Sequence, residues 1–170
     1  MKEIEVKILE IDVKASRKKL DAFAEKISDR VLLTTMTFSN PYNNATVRAR
    51  IIGNETLFTV KVPVPDREFK IQREYETQVG DFKTLRKQLE ALGFTPAMLQ
   101  EKMRTTYTYR HSEIVIDEYP KIPPYIEIQG AKEEIADIVG KLGRDMEDTT
   151  KESVYALFKR YGVDAARLIF

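Results

Sequence analysis

Glu3, Glu5 and Lys7 lie on one face of an alternating run whose other face is Ile4, Val6 and Ile8. Alternation with period two marks a β-strand, in which every second side chain points the same way, about 7 Å apart. Two carboxylates and an ammonium at that spacing are either solvated surface or one wall of a charged cavity. The same choice recurs along the chain. Arg48 and Arg50 share a face with Thr46, Lys61 with Thr59, Glu74 and Glu76 with Gln72, and Lys102 and Arg104 with Thr106. Asp117 falls with Val115 and Tyr119, and Glu127 with Tyr125 and Gln129. Sorted by sign, these faces hold a cationic set (Arg48, Arg50, Lys61, Lys102 and Arg104) and an anionic set of Glu3, Glu5, Glu74, Glu76, Asp117 and Glu127. Guanidinium groups grip phosphoryl oxygens as a fork, lysine acts as a point charge, and carboxylates hold Mg²⁺ or Mn²⁺ through oxygen. A cavity with both patches suits a polyphosphate and divalent metal. A sheet with one wet face produces the same alternation with no cavity at all.

The elements that must carry these faces follow from the hydrophobic pattern. Strands are expected at 2–10, 31–38, 45–52, 55–62, 68–77, 98–109, 113–119 and 125–129, and helices at 14–27, 81–92, 131–142 and 150–161. Asp12 is a candidate N-cap, Gly93 a C-cap, and Gly53-Asn54 and Arg110-His111-Ser112 are hairpin turns. Strands joined mostly by hairpins argue against a doubly wound parallel sheet. They point to an α+β fold, with an antiparallel sheet or barrel and helices outside.

A chain of 170 residues fits one domain with a core of its own. The absence of cysteine excludes disulfides and thiolate chemistry. A net charge of +1 argues against a dedicated nucleic-acid binder, and no apolar run approaches the roughly 18 residues of a membrane helix. The start Met1-Lys2-Glu3 runs straight into a strand pattern with no secretory signal, so a cytoplasmic protein without membrane or nucleic-acid partners is expected. His111, at a hairpin tip, and Arg17-Lys18-Lys19, on the first helix, read as solvated surface.

Glu3-Ile4-Glu5-Val6-Lys7 resembles the Glu-x-Glu-x-Lys mark of the CYTH superfamily, the triphosphate tunnel metalloenzymes, and the resemblance continues in order. Val47-Arg48-Ala49-Arg50, Thr59-Val60-Lys61, Arg73-Glu74-Tyr75-Glu76 and Glu101-Lys102-Met103-Arg104 are similar to its successive basic and acidic strands. Ile116-Asp117-Glu118-Tyr119 and Tyr125-Ile126-Glu127-Ile128-Gln129-Gly130 are similar to its two late metal-binding strands, and Ser153-Val154-Tyr155-Ala156-Leu157 to its C-terminal helix. The resemblance implies one domain over 1–170, built as a closed eight-stranded antiparallel β-barrel, a triphosphate tunnel with helices packed outside. It implies Mg²⁺ or Mn²⁺ as cofactor, with Glu3, Glu5, Asp117 and Glu127 as ligands and Gln129 beside them. Arg48, Arg50, Lys61, Lys102 and Arg104 would clamp the phosphates, with Glu74 and Glu76 in support. Glu3 and Glu5 would also orient water, and Lys7 would contact phosphate or the attacking water. The implied substrate is a triphosphate-bearing small molecule: tripolyphosphate, ATP or thiamine triphosphate. Hydrolysis is the leading expectation. The alternatives are class IV adenylate cyclase chemistry, giving cyclic AMP and pyrophosphate, and a catalytically weak polyphosphate- or nucleotide-binding module. A homodimer is compatible with all three. Two departures stand out: Gln129 replaces the family's second carboxylate on that strand, and Thr34–Asn40 lacks the acidic-aromatic pattern common on the family's second strand.

Overall fold

The computed structural model describes residues 4–64 and 71–170, so Glu3 and the beginnings of the strands expected at 2–10 and 68–77 lie outside the described residues. In chain order the elements are β1 (Ile4–Ile8), α1 (Val13–Leu20), β2 (Glu25–Ser39), β3 (Thr46–Ile52), β4 (Glu55–Val64), β5 (Ile71–Val79) and α2 (Phe82–Ala91). They continue as β6 (Thr95–Tyr109), β7 (Ser112–Glu118), β8 (Tyr125–Gly130), α3 (Lys132–Lys141), β9 (Thr149–Thr150), α4 (Val154–Arg160) and β10 (Arg167–Leu168), with a 3-10 turn at Met146–Asp148. Two compact units emerge, the first from Met1–Val31, Lys102–Asp164 and Phe170, the second from Leu32–Glu101 and Ala165–Ile169.

In the first unit β1 pairs antiparallel with both β8 and β9, and β7 pairs antiparallel with β6 and β8. The inward face is the apolar half of the alternation: Val6, Ile8, Tyr107, Ile114, Ile116, Ile126 and Ile128 are all buried. It packs on Leu20 of α1 and on Ile135, Ile138 and Val139 of α3, whose i, i+3, i+4 spacing gives α3 its single apolar stripe. Each such aliphatic side chain is worth about 1.5–3 kcal/mol relative to exposure, so this layer fixes which way the charged half must point.

The expected helix 14–27 begins correctly, with Asp12 Oδ1 accepting from the Ala15 N–H at 2.7 Å, but it ends at Leu20. Phe23 and Ala24 reach the core from the turn that follows, so the stripe is satisfied without further helix. Only Ile27 needed another turn, and it lies in β2 at 58% exposure.

In the second unit β2, β3, β4 and β5 form a meander of antiparallel pairs. Gly53, at φ 58°, makes the tight β3–β4 turn in the left-handed region that glycine enters without cost. Asp81 caps α2 through the Thr84 N–H at 2.6 Å, and Gly93 ends it at φ 91°. The core here is Met36, Phe38, Val47, Ala49 and Leu89, with Phe58, Val60, Phe82, Leu85 and Phe94 against it. β10 adds a parallel pairing to β6, Leu168 opposite Gln100, and its Leu168 side chain is fully buried.

The expected closed eight-stranded barrel is corrected. The described residues form one ten-stranded sheet in the order β5-β4-β3-β2-β6-β7-β8-β1-β9, with β10 beside β6, and β5 and β9 are unjoined ends. Alternation along a strand reports which face is buried and carries no information about whether the outermost strands meet. None of the described helices is long and apolar enough to cross a membrane.

Candidate functional site

The charged face of the first unit is built by cross-strand register. Lys7 on β1 stands opposite Glu127 on β8, Glu127 opposite Val115 on β7, and Asp117 opposite both Arg104 on β6 and Tyr125 on β8. Residues separated by more than a hundred positions therefore share one surface, because the isoleucines between them are committed to the other side. Glu118 confirms the parity: it turns away and pairs with Arg30, Nε to Oε1 at 3.1 Å.

Two ion clusters occupy this face. In one, the Lys7 ammonium is 2% exposed, donates to Glu5, and stands 3.1 Å from Glu127. Burial works against its charge, but Glu127 and Glu5 outweigh burial and hold its pKa above the ordinary lysine value. Lys7 is therefore a fixed cation at neutral pH. Glu127 is pushed upward by burial and by Glu5, against the pull of Lys7 and Arg104.

In the other cluster, Asp117 is fully buried at the centre of a ring of donors. Arg104 binds it as a fork, Nε to Oδ1 at 2.7 Å and Nη2 to Oδ2 at 2.6 Å. Lys102 Nζ donates to Oδ2 at 2.7 Å and the Tyr125 hydroxyl to the same oxygen at 3.3 Å. Burial alone would raise Asp117, but Lys102 and Arg104 override it and hold the carboxyl at about 2. For Lys102 burial prevails over the attraction of Asp117, and its pKa is pulled down to about 8. Arg104 stays above its ordinary value because Asp117 more than offsets burial, and its Nη2 also lies 3.8 Å from Glu127. Tyr119 lies beneath the Lys102 ammonium at 5.4 Å and stacks on Tyr125 at 6.3 Å. The part of Tyr125 in holding Asp117 was not anticipated. Its place on the face of Glu127 was the available signal.

Gln129, the departure from the family pattern, stands opposite Glu5 on β1 and Glu113 on β7. It is therefore on this same face.

The second unit carries its own charged face. Glu74 on β5 receives Lys61 Nζ at 2.7 Å and Arg48 Nη2 at 3.4 Å, and Glu76 accepts from the buried Thr59 hydroxyl at 2.8 Å. Arg50 stands between Thr35 and Leu57 in register, on the parity of Arg48. Among the described residues the Arg48 Nε–H is buried with no hydrogen-bond acceptor, an arrangement that costs about 1–3 kcal/mol unless an acceptor arrives. The sequence-derived phosphate clamp is thus distributed, with Lys102 and Arg104 in the first unit and Arg48, Arg50 and Lys61 in the second.

The CYTH domain matches residues 1–154. The chain belongs to the CYTH family. CYTH proteins make up the superfamily of triphosphate tunnel metalloenzymes, and membership ties this chain to triphosphate chemistry at that level. Solved CYTH-like structures share the fold. A protein of Pyrococcus horikoshii OT3 is 21% identical with a TM-score of 0.75, over 92% of this chain and 99% of its own. A candidate adenylate cyclase of Vibrio parahaemolyticus is 14% identical with a TM-score of 0.78, over 92% and 97%. A candidate adenylyl cyclase of Hippeastrum, reported with a dominant triphosphatase activity, is 15% identical with a TM-score of 0.59, over 95% and 96%. Comparison with curated protein sequences finds no match.

CYTH membership brings a divalent metal into question, and the donor set in this arrangement does not fit one. No group of three or more His, Asp or Glu among the described residues is gathered to hold a metal ion. Asp117 is engaged by Arg104 through both oxygens and by Lys102 and Tyr125 through Oδ2. Glu5 and Glu127 are both engaged by Lys7.

Proposed function

We propose that this CYTH protein binds the phosphate chain of a triphosphate-bearing small molecule against its buried cations and hydrolyses it. The observation that carries this reading is the Lys102–Arg104 pair, gathered on one anion with an arginine fork and a lysine point charge at 2.6–2.7 Å. Two desolvated cations held this way are pre-arranged for the oxygens of a phosphate. Phosphoryl transfer asks little covalent chemistry of the protein. Most of the rate comes from positioning and from stabilising charge on the transferring group. Arg48, with an unused buried donor, forms with Arg50 and Lys61 a second cationic group within the other unit, suited to phosphate contacts of its own. Lys7, fixed as a cation between Glu5 and Glu127, contacts phosphate or holds the attacking water, while the two carboxylates orient that water. Glu74 and Glu76 hold the cations and hydroxyl of the second unit in place. Glu3, outside the described residues, is proposed to act with Glu5, its partner in the Glu-x-Glu pair of the sequence. The superfamily's use of Mg²⁺ or Mn²⁺ is tested separately by chelation, since the described carboxylates are engaged by the protein's own cations.

Product analysis with tripolyphosphate, thiamine triphosphate and ATP tests the reaction. Orthophosphate from tripolyphosphate or thiamine triphosphate is the expected result, in line with the Hippeastrum likeness. Cyclic AMP and pyrophosphate from ATP would instead establish the cyclase reading, which the Vibrio likeness favours. Binding without any product would leave a polyphosphate-binding module.

The position of Lys102 adds a pH signature. With its pKa near 8, the clamp loses one of its cations as pH rises past that value. Tripolyphosphate affinity is expected to fall between about pH 7.5 and 9.5, with up to tenfold loss per pH unit. Lys102→Arg, which stays charged, should flatten the fall. Stability moves the other way: the unfolded lysine keeps its proton up to about 10.4, so between about 8 and 10.4 the unfolded state holds more protons and stability rises with pH. Calorimetric titration across this range checks the first effect, and urea denaturation the second. A pH-independent affinity in the wild type would remove Lys102 from the clamp.

A further inference from the structure

We infer that Asp117 is a resident counter-anion, occupying the Lys102–Arg104 clamp in the free protein and giving up those cations when phosphoryl oxygens arrive. The inference rests on the triphosphate reading above. Its basis is the mismatch between what Asp117 is expected to do and what it does. The sequence resemblance implies a metal ligand here, yet the carboxylate accepts four hydrogen bonds, three of them from cationic N–H groups. Asp117 is 0% exposed, whereas the side chains of Lys102 and Arg104 keep 14% and 18% of their surface open. An incoming anion therefore meets the cations and not the carboxylate. The geometry around Asp117 is also the geometry a phosphate would take: one planar fork and one ammonium converging on adjacent oxygens at 2.6–2.7 Å. A carboxylate and a phosphoryl group compete for the same donors.

Exchange has a second consequence. Stripped of both cations, Asp117 would retain only the Tyr125 hydroxyl in a buried setting. A buried carboxylate does not remain ionised alone; it takes up a proton or another cation. Arrival of the phosphate chain would thus leave Asp117 to take up a proton or another cation in place of Lys102 and Arg104.

The test uses the whole chain, tripolyphosphate as the probe, and metal-free buffer with chelator at pH 6.5, where Lys102 is protonated. Asp117→Asn removes the competitor while keeping the shape. The variant is expected to melt below the wild type when ligand-free and to bind tripolyphosphate at least about tenfold more tightly, with a larger ligand-induced rise in melting temperature. Equal or weaker binding by a folded variant overturns the exchange. Should the variant fail to fold, the wild type answers by NMR. The Asp117 carboxyl carbon is expected to move in the same titration that moves the Arg104 Nε–H signal. A moving Arg104 with an unmoved Asp117 overturns the exchange and leaves the phosphate clamp standing. If tripolyphosphate moves neither signal and leaves the wild-type melting temperature unchanged, the triphosphate reading falls, and the exchange with it.

Discussion

Arg104→Ala is expected to lower kcat/KM on tripolyphosphate by at least tenfold, about 1.4 kcal/mol or more of transition-state stabilisation, and to destabilise the fold by about 3–5 kcal/mol. Both effects come from one side chain. The guanidinium supplies two of the four hydrogen bonds on the fully buried Asp117, and removing it leaves a buried carboxylate with Lys102 and Tyr125 alone. Arg104→Lys separates the two roles. It restores the charge but not the fork, so most of the stability should return while activity stays depressed. Urea denaturation alongside steady-state kinetics reads both quantities. Wild-type kcat/KM in a folded Arg104→Ala variant would take Arg104 out of the phosphate clamp.

Lys7→Met is expected to give the other large effect, with a pH dependence that identifies its cause. The ammonium is nearly fully buried between Glu5 and Glu127. Methionine fills the space without the charge, and Glu127, already pushed upward by burial, loses the cation that most opposes the push. Near neutral pH the variant should lose several kcal/mol, on the order of a broken buried ion pair. The sign of the recovery is fixed. A carboxyl whose folded pKa lies above its unfolded value of about 4.3 binds its proton first in the folded state. Stability is then regained as pH falls through the raised value toward 4.3. Thermal melts from pH 7.5 to 4.5 check this, and a variant whose deficit is constant across that range would show that Glu127 does not depend on Lys7.

The charged faces were legible in the sequence because a sheet packed on helices must bury every second residue. Val6, Ile114, Ile126 and Ile128 are committed to the core, which leaves Lys7, Asp117 and Glu127 no other direction. Partnership was not legible. Asp117 was grouped with metal ligands and Lys102 with phosphate ligands, while register places them against each other; parity assigns a face and says nothing of which neighbour is met across a strand. The overrun of α1 has a similar origin, since Phe23 and Ala24 satisfy a helical stripe from a turn equally well. The early start of β2 was hidden by the charged residues Glu25, Lys26, Asp29 and Arg30, which carry little strand preference. β9 and β10 are two residues each, too short for any periodicity, and exist only because β1 and β6 offer them a partner.

The two unjoined ends of the sheet bear on how the protein behaves in concentrated solution. A bare strand edge offers its amides and carbonyls to any passing chain, and such edges are where fibrils and swapped assemblies begin. At one end the danger is limited by length, because β9 is only two residues long. At the other end β5 is nine residues long, and shortness gives no protection. There the sequence Arg73-Glu74-Tyr75-Glu76 puts charges on both faces of an exposed strand, so that a second copy docking edge to edge would bring like carboxylates together. A variant neutralising both Glu74 and Glu76 is therefore expected to be less soluble than the wild type, beyond any effect on binding.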